Sequence, residues 1–91
     1  MAIVLRAEFD KEFEVFTISV KMGGNPVCYE EMMTVESFKQ FCEGIDRGFV
    51  IGRCRISFGP GRHPEVSKRT ERGIIDYFRS AWRSYELRDT I

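Results

Sequence analysis

From its start the chain alternates. Ile3, Leu5, Ala7 and Phe9 fall on one side of an extended backbone and Val4, Arg6 and Glu8 on the other, which predicts a strand over Ala2–Phe9. Asp10-Lys11-Glu12 is a short polar break before a second strand, Phe13–Met22. That strand changes phase partway: Phe13 and Val15 share one face, whereas Phe16, Ile18, Val20 and Met22 share the other. A bulge near Val15-Phe16 would reconcile the halves, and so would a strand partly covered on both faces. Gly23-Gly24-Asn25-Pro26 reads as a turn, and Val27–Met33 as a third, weaker strand or the extended lead-in to a helix.

The period then lengthens to that of a helix. Thr34 is a good N-cap, and Glu36 in the first turn suits the helix dipole. Val35, Phe38, Phe41, Cys42 and Ile45 make the apolar face, with Glu36, Lys39, Gln40 and Glu43 opposite and Gly48 as the stop. Phe49–Phe58 alternates again as one strand, with Val50, Cys54, Ile56 and Phe58 inward and Arg53, Arg55 and Ser57 outward. Gly59-Pro60-Gly61-Arg62-His63-Pro64 is a loop, followed by a long helix from Glu65 to about Leu87. Its stripe is Val66, Ile74, Tyr77, Phe78, Ala81 and Tyr85, flanked by Ile75 and Trp82. Gly73 weakens this helix by about 1 kcal/mol relative to Ala.

The element order is therefore β-β-(β)-α-β-α. Hairpins make the sheet antiparallel, and two amphipathic helices need one sheet face to cover. The expected fold is α+β: one small domain over residues 1–91, with three to four strands and both helices on one side. The outer sheet face would carry Arg6, Glu14, Thr17, Ser19, Lys21, Arg53 and Arg55.

Composition adds limits. With 91 residues, 43% of them apolar, the chain can fold but has too small a core for a deep enclosed cavity. No apolar run reaches the roughly 20 residues that span a bilayer. The start, Met1 to Arg6, lacks the features of a secretory leader, and three cysteines without close pairing suit a reducing compartment. A cytoplasmic location is expected. Zero net charge hides an asymmetry: residues 1–46 hold nine acids and four bases, and residues 47–91 hold ten bases and five acids. Nine of those ten bases are Arg, the residue favoured at carboxylate, phosphate and protein interfaces.

Candidate chemistry is thin. Cys28, Cys42, Cys54 and His63 formally match a zinc set, but structural zinc ligands come in close pairs, and here thirteen, eleven and eight residues intervene. His63, the only histidine, has no nucleophile motif beside it and reads as a loop or capping residue. Gly59-Pro60-Gly61-Arg62 lacks the Gly-Lys-Ser/Thr ending of a phosphate loop, and Pro60 and Pro64 remove two N–H donors. Glu8, Asp10, Glu12 and Glu14 crowd the first hairpin tip, with nothing to predict the burial an acid/base pair requires. No catalytic residue, metal or cofactor is expected.

The long helix is the informative surface. Arg69, Arg72, Arg79 and Arg83 make its polar face beside Trp82 and Tyr85, and Trp, Tyr and Arg dominate binding hot spots. Arg72–Asp76 and Arg83–Glu86 can pair along the helix. Arg53, Arg55 and Arg62 form a second candidate interface. The expected function is a small non-enzymatic protein that binds another protein; by class analogy, compact motif-free chains of this size include bacterial immunity proteins and phage anti-defence proteins of the anti-CRISPR kind. The alternative is a nucleic-acid-binding module using the Arg-rich helix, against which overall neutrality weighs; the second alternative is a small enzyme or enzyme subunit. A monomer, or a weak salt-sensitive dimer between acidic hairpin and Arg-rich helix, is expected, with no membrane partner.

Overall fold

The computed structural model describes residues 3–22, 29–59 and 67–89. Strands β1 (Ile3–Asp10), β2 (Val15–Met22) and β3 (Tyr29–Thr34) form an antiparallel three-stranded sheet in sequence order. Helix α1 (Val35–Gly44) and a 3₁₀ turn, Ile45–Arg47, follow. A separate two-stranded hairpin, β4 (Gly48–Ile51) and β5 (Cys54–Ser57), precedes the long helix α2 (Lys68–Asp89). The fold is small α+β. Among the described residues, no helix is long and apolar enough to cross a membrane.

The phase change read in β2 has a simple cause. The β1–β2 ladder runs without a bulge from Ile3↔Met22 to Asp10↔Val15. Phe13 never joins it: the ring lies in the turn, 70% exposed. Asp10 Oδ1 accepts the backbone N–H groups of Glu12 at 2.8 Å and Phe13 at 3.2 Å, an Asx turn that holds the chain out of the ladder. Glu14 then takes a left-handed φ of 54° and delivers Val15 to the strand. Glu14 is thus a turn residue, outside the sheet face it was expected on.

The helix starts are set by hydroxyls. Thr34 Oγ1 accepts the Ser37 N–H at 3.1 Å and caps α1 as expected. For α2 the cap is Ser67, whose Oγ accepts the Thr70 N–H at 3.2 Å, so the helix begins at Lys68. Glu65 and Val66, like Cys28, Pro60, Arg62, His63 and the turn expected over Gly23-Gly24-Asn25-Pro26, lie outside the described residues.

The expected single strand Phe49–Phe58 is two strands. Gly52 (φ 58°) and Arg53 form a two-residue turn with Gly in the first central position, as a type II′ hairpin requires. The turn resets the phase, so Phe49 and Ile51 are buried on one arm, Cys54 and Ile56 on the other, and Val50, expected inward, is exposed. Arg53 and Arg55 therefore belong to this hairpin and not to the outer face of the larger sheet.

Both helices cover the same sheet face. Phe16 of β2 stacks on Phe38 of α1 with centroids 4.0 Å apart and meets Trp82 and Tyr85 of α2 at 6.3 and 5.3 Å. Ile18, Val20, Ile45, Ile51, Ile74 and Phe78 complete the buried centre. Tyr77, expected in the core stripe of α2, is 40% exposed.

Candidate functional site

Helix α2 places its side chains in three directions. Ile74 and Phe78 are fully buried, with Ile75, Ala81, Trp82 and Tyr85 packed around them. One flank, at Arg79, faces α1. The opposite flank, with Tyr77, Ala81, Ser84 and Arg88, looks along β1. Arg69, Arg72, Asp76, Ser80 and Arg83 take the remaining, solvent-facing arc.

This geometry divides the six candidate residues of the helix. Trp82 and Tyr85 are half-buried parts of an aromatic cluster: Tyr85 lies 4.8 Å from Phe9, and Trp82 lies 6.1 Å from Phe38 and 5.4 Å from Tyr85, centroid to centroid. They anchor the helix to the sheet and do not stand beside the arginines as exposed anchors. Arg79 is also an internal tie. Its Nε donates to the Cys42 carbonyl oxygen at 3.0 Å, and its Nη2 lies 3.9 Å from Asp46 Oδ1. Cys42 is in the last turn of α1, where carbonyls lack helical partners and the dipole favours a cation.

Arg69, Arg72 and Arg83 are left as the exposed basic group. Among the described residues, no ion pair joins Arg72 to Asp76. The physical reason is orientation: an acid one turn C-terminal to its base is the weaker arrangement on a helix. Arg53, at the tip of the β4–β5 hairpin, and Arg55, on its outward side, are exposed as well.

The cysteines are core atoms. Cys42 Sγ donates to the Phe78 carbonyl oxygen at 3.4 Å, and burial pushes its thiol pKa up to about 12. Burial also raises that of Cys54. A thiol that stays protonated is a poor nucleophile and metal ligand. Among the described residues, no three His, Cys, Asp or Glu side chains gather in a metal-binding group. We expect iodoacetamide at mildly alkaline pH to leave Cys42 and Cys54 unmodified in the folded chain and to alkylate both in urea, as read by peptide mapping. Labelling of native Cys42 at the denatured rate would contradict this placement.

Sequence reading missed one concavity. An open groove of about 960 Å³ runs between the C-terminal half of α2 and the outer edge of β1, over Ala7, Phe9, Phe16, Ala81 and Tyr85. Glu8 and Glu14 stand on its rim. Glu8 accepts from Arg6 Nη2 at 2.7 Å, and this bond holds its carboxyl below the usual range. A general acid needs the opposite shift. The only sequence signal for the groove was the alternation of β1 itself, which reports a face but not an edge. Compared with protein-family models, curated proteins and solved structures, the chain matches none.

Proposed function

We propose that the chain is a small non-enzymatic binding protein that docks an acidic surface of another protein on Arg69, Arg72 and Arg83. The observation that supports this reading is the set of three arginines on the outer arc of a helix fixed from behind, with no ion pair among the described residues. Guanidinium forks match carboxylates with two parallel hydrogen bonds, and a rigid helix presents them with little ordering cost. A protein is favoured over a nucleic acid because a chain of zero net charge has little long-range attraction for the dense charge of a phosphate backbone, whereas a local acidic patch needs only the few arginines that meet it. By class analogy of size alone, the reading includes inhibitors of the immunity-protein or phage anti-defence kind, and a cytoplasmic site of action fits the buried thiols.

The test reverses Arg69, Arg72 and Arg83 to Glu together and compares capture from a lysate of the source cells with wild type and with a Lys39→Glu control. We expect a protein held by wild type and control but lost from the triple variant, whose melting temperature stays nearly unchanged because exposed charges add little stability. Unchanged capture by the triple variant would move the binding surface elsewhere. Steep, log-linear loss of binding to a random DNA duplex with salt would favour the nucleic-acid reading instead.

A further inference from the structure

We infer that two copies of this chain join edge to edge through β1, making one six-stranded antiparallel sheet about a twofold axis at Ala7. The edge of β1 away from β2 has no strand partner among the described residues. Its outer face carries the charges of Arg6, Glu8 and Asp10, but Ile3–Asp10 contains no Pro and no Lys, and its ladder has no bulge.

The sequence of β1 is complementary to itself in one register. Self-pairing must keep every side chain on its own face, so the axis has to pass through a residue. An axis at Arg6 sets two guanidiniums opposite each other, and an axis at Glu8 sets two carboxylates opposite. An axis at Ala7 sets Arg6 opposite Glu8 of the second copy, twice, on the outer face. On the helix side it sets Leu5 opposite Phe9, also twice. Cross-strand pairs of opposite charge, and of aromatic with aliphatic residues, are the stabilising ones.

The surroundings fit the same register. Arg6 already bridges Glu8 at 2.7 Å and, reaching over Ser19, Glu30 at 3.4 Å. Lys21 pairs with Val4, which the axis sets opposite Asp10 of the second copy, so Lys21 spans a similar two-strand interval to that acid. On the other face, Leu5 of the second copy meets Phe9 on the wall of the groove. Tyr85 contacts both Phe9 and Phe16, which places α2 over the β1–β2 seam. With strands about 4.8 Å apart, the two α2 axes then lie roughly 10 Å apart, an ordinary helix packing distance. The flanks that meet carry Tyr77, 40% exposed, among the small residues Gly73, Ser80, Ala81 and Ser84. Arg69, Arg72 and Arg83 stay on the outside of both copies.

Charge reversal in mixture tests this arrangement. Arg6→Glu alone sets two carboxylates opposite each other at both outer-face pairs, and Glu8→Arg alone sets two guanidiniums there; mixed, the two variants restore opposite charges at both pairs. By sedimentation equilibrium we expect wild type to dimerise, each variant alone to raise the dissociation constant roughly tenfold or more, and the equimolar mixture to recover it. Circular dichroism would confirm that each variant is folded. Wild type that stays monomeric at millimolar concentration would overturn the inference. So would variants that dimerise like wild type, or a mixture that recovers nothing.

Discussion

Phe78→Ala is expected to cost about 3–5 kcal/mol, the range for emptying a buried aromatic site. Phe78 is fully buried and joins three elements: its ring meets Phe41 of α1 at 5.2 Å and Phe49 of β4 at 6.0 Å, edge to face. Few neighbours can close the space, because each of those rings is held by others in turn. Phe38→Ala should cost about as much, since its ring is fully buried against Phe16. A chain of this size has roughly 5–14 kcal/mol of total stability, so either change takes a large share. Phe13→Ala removes the same side chain from a position 70% exposed, and about 0.5 kcal/mol or less is expected. Urea denaturation followed by circular dichroism would rank the three, and equal midpoints for Phe78→Ala and Phe13→Ala would refute the assigned core.

Gly48→Ala is the second large effect. Gly48 ends the 3₁₀ turn and starts β4 with φ 101° and ψ −178°, a region essentially closed to side-chain-bearing residues. A methyl group there would lie 2.3 Å from the Ile56 carbonyl oxygen and 2.8 Å from the Ser57 Cα, both backbone atoms that cannot turn aside. The hairpin would have to open. A loss of about 3 kcal/mol or more is expected from strain and broken pairing together. Gly73→Ala, in the open on α2, meets no atom within 4 Å and should instead stabilise by about 0.5–1 kcal/mol. Opposite signs from one chemical change would be read directly in the denaturation midpoints.

Much of the fold was legible because the elements bury one face each. The alternation of Ile3 to Phe9 and the helical spacing of Phe38, Cys42 and Ile45 reached their observed burial without tertiary information. Two local features hid in plain alternation. Phe13 imitated a strand residue although Asp10 holds the backbone in a turn, and Gly52 passed as a strand position although its positive φ reverses the chain. Both errors shift the phase by one position, and Val50 was placed on the wrong side as a result. The candidate surface was only partly legible for a different reason. A helix's own sequence gives the angle of Arg79 and Trp82 around its axis, but not that α1 lies beside that angle with an open carbonyl at Cys42. Edges escape in the same way: the composition of β1 states which residues it offers, and only the sheet order states that its edge away from β2 has no partner strand among the described residues.

The seating of α2 also has a spectroscopic consequence. Trp82 is the single indole of the chain, held within 6.3 Å of Phe16 and 6.1 Å of Phe38 on the inner side of the helix. Its emission therefore reports one event, the lifting of α2 from the sheet, without any attached label. A ligand on the outer arginines leaves that ring in the same apolar surroundings, whereas loss of helix docking moves it into water and shifts its emission to the red. The chain thus carries its own optical gauge of whether α2 is in place.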